Sequence, residues 1–194
     1  MFAQERKLVK LMENFKIEFD TTVREADGSV VQFQYGDDGY DAISVVRLSV
    51  PVVLEPYNRH MFDHDDEMAL IREEDSVEKA ANYLNWWRDE HGEKMVPCPV
   101  DMEALFERAK ILSEGVTLKM SFNEVWTKCW DFSSSIPNEL FRNYLILFLQ
   151  VRRMRELGED FFIWLLESAQ EIYNKSKINP GEMVGVLAGQ SVAE

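Results

Sequence analysis

A mainly helical α+β fold with a short N-terminal β-hairpin is predicted from three features of this sequence. From Ser76 onward apolar residues recur at three- and four-residue intervals, and helix-start residues precede several of those runs. Two β-prone runs flank an Asp-Gly pair near the N-terminus. The 194 residues admit one domain with a sizeable core or two small ones tightly joined. At 46% hydrophobic and 12% aromatic the chain is too apolar to stay disordered.

Leu8, Leu11, Met12, Phe15 and Phe19 lie at helical spacing, predicting an amphipathic helix over 6–19. Thr21 to Arg24 and Ser29 to Tyr35 are strands of a hairpin turning at Glu25-Ala26-Asp27-Gly28. Alternation of Val31, Phe33 and Tyr35 with Gln32 and Gln34 predicts that the second strand is half-buried, and Gly36-Asp37-Asp38-Gly39 ends it in an acidic turn. Residues 42–75, with a β-prone run, Pro51, Pro56 and the stretch His60 to Glu67, are expected to be irregular. Ser76 is the expected N-cap of a helix carrying Val77, Ala80, Ala81, Leu84 and Trp87, and Gly92 ends it. After the boundary at Pro97-Cys98-Pro99, Asp101 caps a helix burying Met102, Leu105, Phe106, Ala109 and Leu112, which Gly115 terminates. Ser121-Phe122-Asn123-Glu124 is a capping box ahead of Val125, Trp126, Cys129 and Trp130.

Pro137 to Leu157 is apolar on more than one face, which predicts one central helix packed on several sides. Phe161, Trp164, Leu165, Ser168 and Ile172 define the next amphipathic helix, ending near Asn174. Asn179-Pro180-Gly181-Glu182 is a helix-start signal. The small residues Gly185, Ala188 and Gly189 give the following helix a side suited to close approach by another backbone. That helix carries no C-cap signal, so the chain is expected to be a piece of something larger.

The balance of 21 basic against 35 acidic residues gives a net charge of −14, which opposes autonomous nucleic-acid binding. Cys98 and Cys129 have no CxxC partner, so neither a zinc knuckle nor a disulfide framework is expected and both should be reduced thiols. No signal peptide or membrane-length apolar run is present, and a soluble intracellular protein is expected.

Two of the runs just described, with one weaker one between them, carry a family resemblance. Gln4 to Lys10 leading to Asp20-Thr21-Thr22-Val23-Arg24, followed by Gly28 to Ala42, resembles a segment of the largest subunit of multi-subunit DNA-directed RNA polymerases of the eukaryotic, archaeal and large-DNA-virus type. Pro99-Val100-Asp101-Met102 is weakly similar to the start of that family's foot domain. Asn179 to Glu194 closely resembles the family's PGEMVG.LAAQSIGEP run, with Val192-Ala193-Glu194 where the family has Ile-Gly-Glu. The resemblance implies a segment between the bridge-helix region and the trigger loop. Residues 1–42 would be cleft- or shelf-like, 43–178 a foot-like helical domain with an acidic insertion at 43–75, and 179–194 the start of the helix leading to the trigger loop. It further implies partners among the remaining segments of the largest subunit and the other polymerase subunits, including a small ω-like one. DNA and RNA would be met only indirectly, and no membrane partner is implied. The aspartate motif for catalytic magnesium is absent, so no activity alone is expected, and the parent subunit's magnesium and zinc sites would lie outside this chain.

Several side-chain groups have competing readings. His60 and His64, with Asp63, have spacing compatible with zinc, as a hydrolase would need, but no HExxH pattern surrounds them and a solvated acidic loop is preferred. Asp37 and Asp38, between Gly36 and Gly39, and Asp41 just beyond are read as carboxylates that pin a turn through backbone N–H groups rather than as acid–base catalysts. Arg152, Arg153 and Arg155 are read as solvated at a helix C-terminus, with an ion-paired subunit interface as the alternative. The five tryptophans are read as core. Pro180, Gly181, Glu182, Gln190 and Ser191 carry the C-terminal motif as structural residues. A non-catalytic polymerase segment is thus expected, with a free-standing acidic adaptor as the alternative.

Overall fold

The computed structural model describes residue 7, residues 9–55, 57, 63–113 and 119–193, the last four as backbone only. It divides into two compact units, residues 1–44 with 175–194, and residues 45–174.

In the first unit the antiparallel strands β1 (Lys16–Ile17), β2 (Val23–Arg24) and β3 (Val30–Gln32) pair in the order β1-β2-β3. The expected hairpin is present: Gly28 N–H donates to Glu25 O at 2.9 Å, and the Asp27 carboxylate accepts from Ser29 N–H. The expected first helix is shorter than its periodicity, because helix geometry stops at Met12 and the chain enters β1. Ile17 is claimed by backbone pairing on both sides. It faces Val23 in the sheet, and it also exchanges bonds with the 181–182 segment, donating to Glu182 O at 3.0 Å and accepting from Gly181 N–H at 2.6 Å. Phe19 is left 91% exposed. The half-buried face expected of β3 is also corrected: Val31 and Phe33 are exposed, and only Tyr35, carried inward by a 3-10 turn over Tyr35–Asp37, packs on the small core of Ile17, Val23, Ile178 and Val184.

The second unit opens with β4 (Val46–Ser49), which pairs antiparallel with β5 (Met95–Cys98) in the register Val46↔Cys98. Pro97 is tolerated there because the sheet has two strands, leaving each strand a free edge. Between them runs α1 (His64–His91), 28 residues long. It starts twelve residues before the expected cap, since Asp63, not Ser76, is its N-cap, accepting from Asp66 N–H at 3.0 Å. Ser76 instead returns its hydroxyl to Arg72 O, as mid-helix serines do. Gly92 ends α1 in the left-handed conformation, as expected.

Asp101 caps α2 (Met102–Leu112) through Ala104 N–H, although Leu112 is exposed rather than inward. The expected terminator Gly115 lies outside the described residues. The capping box at Ser121 and Glu124 opens α3 (Phe122–Ser134). The expected single central helix is two: α4 (Glu139–Phe148), then α5 (Val151–Met154), separated where Gln150 adopts an extended ψ of 134°. Its central position holds, for Phe141, Tyr144, Leu145, Leu147 and Phe148 are all buried. Phe141, Tyr144 and Phe148 stack in sequence along one face, with Tyr173 adding to the Phe141 end. The last helix of the unit, α6 (Glu159–Lys175), buries Phe162, Leu165, Ala169 and Tyr173. That face is displaced from the expected one, which leaves Ile172 exposed and Trp164 half-buried under the Arg108 guanidinium. The long helix α1 packs on both α3 and α4, which also pack on each other, so these three form the frame of the unit.

Candidate interaction surfaces

The two most family-like sequence runs meet in the first unit. In the earlier one, Asp20 accepts from Thr22 N–H at 3.1 Å and from Arg24 Nη2 at 2.7 Å, closing a turn in which Thr21 has a φ of 67°. The Thr22 hydroxyl is the largest influence holding the Asp20 carboxyl down to about 2. Further along, Asp38 accepts from Tyr40 N–H and Asp41 from Ile43 N–H, both at 3.0 Å, so these carboxylates are spent on their own turns. Asp37 is exposed with a φ of 63°.

The residues just ahead of the later run are bonded to this frame through their backbone. Asp41 N–H donates to Ser176 O at 2.8 Å, Ile178 N–H to Gly39 O at 3.1 Å, and Tyr40 bridges Lys177. Gly181 and Glu182 extend the pairing to β1, and α7 (Val184–Ala193) then passes against residues 9–15. Contact there is so close that a Cβ on Gly185 would stand 1.8 Å from Met12 O, and one on Gly189 3.2 Å from Val9 Cα. The small-residue side of this helix is therefore occupied by the chain's own N-terminal segment. The helix itself begins at Val184, not at Pro180, because Gly181 has a φ of +88° and its N–H serves Ile17.

The second unit carries a groove of about 620 Å³ between α1, α3 and α4. Arg72, Asp75, Ser76 and Lys79 come from α1, Trp126, Thr127 and Trp130 from α3, and Arg142, Asn143 and Ile146 from α4. Helical spacing explains the lining, since residues three and four apart share a face. The two indoles lie 5.4 Å apart, Trp126 only 7% exposed and Trp130 41%. Lys79 pairs with Asp75 at 2.6 Å, while Arg72 and Arg142 have no ion-pair partner among the described residues.

A model of RNA polymerase Rpb1, domain 5, matches residues 4–194. This chain belongs to that family, a segment of the RNA polymerase largest subunit. It is 25% identical over 191 residues to the DNA-directed RNA polymerase I subunit rpa1 of Dictyostelium discoideum, covering 98% of this chain and 10% of that protein. It is 26% identical over 199 residues to the human DNA-directed RNA polymerase III subunit RPC1, covering 98% of this chain and 12% of that protein. The chain spans about a tenth of the length of these curated relatives.

Within this polymerase segment the remaining expected residues are placed as follows. Arg152 and Arg153 are not free: Arg152 donates to Glu55 O and lies over the Tyr57 ring, and Arg153 donates to Phe148 O over that ring. Arg155 also lies over Tyr57, with its Nε buried and without a hydrogen bond among the described residues. Pro180 is exposed, and Gln190 and Ser191 lie on α7 with backbone alone described. Of the metal candidates, Asp63 is used as a helix cap, His64 is exposed on the first turn of α1, and His60 lies outside the described residues. No group of three side chains able to hold a metal occurs among the described residues. Both cysteines are buried and free, and burial pushes their thiols well above the ordinary range, which suits packing rather than nucleophilic attack. No described helix is long and apolar enough to cross a membrane. The tryptophans are divided: Trp126 is core, but Trp86 and Trp130 are open to solvent.

Three polar groups that hold the helical unit together escaped the sequence reading. Glu73, 8% exposed, accepts from Val151 N–H at 2.6 Å and so caps α5 from α1. Gln150, 5% exposed, accepts from Leu54 N–H and donates to Val52 O and Leu147 O. Asp66 accepts from Asn123 N–H at the start of α3. The one available signal was the acidic run after Asp63, a composition that suits a helix N-terminus.

Proposed function

We propose that this chain is a non-catalytic, foot- and cleft-like scaffold of an RNA polymerase largest subunit, contributing to transcription only inside the assembled enzyme. The observation that carries the reading is the gathering of its two most family-like runs, around 20–42 and 179–185, into one unit, tied by backbone bonds of 39–41 to 176–178 and of Ile17 to Gly181 and Glu182. Such a unit fixes the direction in which α7 leaves it, and the Gly185–Met12 approach holds that direction tightly. On this reading α7 supports the root of the trigger loop and the helical unit offers docking surface to other polymerase subunits, a small ω-like one among them. Nucleic acid is met through the complex, which an overall charge of −14 favours over direct contact. The chain supplies no magnesium or zinc site of its own, and its place is inside the cell, where transcription is carried out.

Affinity purification of the tagged protein, followed by quantitative mass spectrometry, tests the proposal. Polymerase subunits in fixed proportion are expected. Recovery of unrelated basic partners instead would overturn it in favour of an adaptor, and templated RNA synthesis by the purified chain alone would overturn the non-catalytic role.

A further inference from the structure

We infer that the groove between α1, α3 and α4 is a docking site for an acidic peptide segment of a partner protein that carries a bulky apolar side chain. The inference rests on reading the helical unit as a docking body. Its basis is a local reversal of charge: the chain as a whole is at −14, yet the groove gathers Arg72, Lys79 and Arg142 against the single carboxylate of Asp75. Asp75 is engaged by Lys79, and neither guanidinium makes an ion pair with a described carboxylate. Arginines supplied by two helices suit carboxylates, which they bind through two parallel N–H donors.

The part of the lining that comes from α3 is aromatic. Trp126 is almost wholly buried, whereas Trp130 is well exposed beside it, so a bulky apolar side chain entering here would cover indole that water now reaches. A volume of about 620 Å³ accommodates a few side chains of one peptide segment, the scale of helix-in-groove recognition. A nucleic acid fits less well, because it carries a charge at every nucleotide and beyond the groove would meet a surface dominated by carboxylates. A peptide can confine its carboxylates to the two positions opposite Arg72 and Arg142.

The test titrates the 194-residue chain with a fluorescein-labelled synthetic peptide in which Asp and Glu alternate with Phe and Leu, read by fluorescence anisotropy. Saturable binding is expected, weakened at least tenfold by Arg72→Glu with Arg142→Glu and separately by Trp130→Ala. All three side chains reach solvent, and circular dichroism verifies that the variants keep their helix content. The charge-reversed double variant should in turn bind the matching Lys-Phe-Leu peptide that the parent rejects, a gain that a purely structural role for these arginines does not produce. Three results would overturn the inference: no binding of the acidic peptide, equal binding by parent and double variant, or tighter binding of a single-stranded oligonucleotide than of the peptide. None of these readouts depends on association with polymerase subunits, so failure here is distinguishable from failure of the scaffold reading.

Discussion

The Glu73 carboxylate accepts the backbone N–H of Val151 at 2.6 Å inside the helical unit, so a side chain of α1 caps α5 across 78 residues of sequence. Burial pushes this carboxyl up to about 7, opposed by the Val151 bond and reinforced by Glu74. The folded state therefore holds a proton that the unfolded chain, at its ordinary value of 4.5, gives up. Stability from this group is complete below about pH 4.5 and is lost as pH rises through about 7. At about 1.4 kcal/mol for each pH unit of displacement the loss approaches a ceiling of roughly 3 kcal/mol. Glu73→Gln keeps an acceptor for Val151 and cannot ionise. Chemical denaturation should find it close to the parent at pH 4.5 and more stable by up to about 3 kcal/mol at pH 8, and a difference that does not change with pH would count against this account.

Gly185 and Gly181 separate two reasons for a glycine. A methyl on Gly185 would meet backbone atoms of residue 12, with Met12 O at 1.8 Å and Met12 C at 2.8 Å, and backbone cannot swing aside as a side chain can. Gly185→Ala should destabilise the first unit by at least about 2 kcal/mol, with faster hydrogen exchange at the Gly185 amide, which is bonded to Phe15 O. At Gly181 nothing lies within 4 Å of the added methyl, and only the φ of +88° resists it. Gly181→Ala should cost about 1 kcal/mol. Equal losses in thermal unfolding of the two variants would contradict the close approach.

The fold was legible wherever a local signal coincided with the final structure. Asp101, Ser121 and Gly92 act within four residues of their own positions, so their helix ends could be read directly. The hairpin at Gly28 was legible for the same reason. Glu73 and Gln150 hid two features because each is a polar residue on a buried position. Glu73 interrupts the inward series of Ala69, Leu70 and Val77, which conceals the first twelve residues of α1. Gln150, among apolar neighbours, gives no sign that the helix breaks beneath it. The groove was illegible, since Arg72 and Arg142 are 70 positions apart and only packing of α1 against α4 brings them to one lining. The convergence of the two family-like runs is equally non-local, resting on backbone bonds such as that of Ile178, just ahead of the later run, to Gly39.

Gln150 makes its break in the helix tolerable by satisfying groups on three residues, Val52, Leu54 and Leu147. Gln150→Leu fills the space but offers none of those bonds, leaving the Leu54 N–H and two carbonyls short of a partner. A buried polar group left unmade costs about 1–3 kcal/mol, so a loss of about 2–4 kcal/mol in denaturant stability is expected. Hydrogen exchange adds a local check, because the Leu54 amide should lose protection ahead of the α4 core. Preserved protection at Leu54 would place that bond elsewhere.

The start of α3 is held by two devices that differ in physical kind. Ser121 and Glu124 form a reciprocal box, with the Ser121 hydroxyl accepting from Glu124 N–H at 3.2 Å and the Glu124 carboxylate accepting from Ser121 N–H at 2.9 Å. Asp66 reaches from α1 to Asn123 N–H at 2.8 Å, adding a negative charge at the positive end of the helix dipole. Ser121→Ala removes a neutral acceptor and should cost about 1 kcal/mol at any ionic strength. Asp66→Asn keeps an oxygen in place and removes only the charge, so its cost should be about 0.5 kcal/mol in dilute buffer and should shrink toward zero in about 1 M salt. Denaturation of both variants across a salt series tests the distinction: an Asp66→Asn loss that persists at high salt would mean that geometry rather than charge secures the junction of α1 with α3.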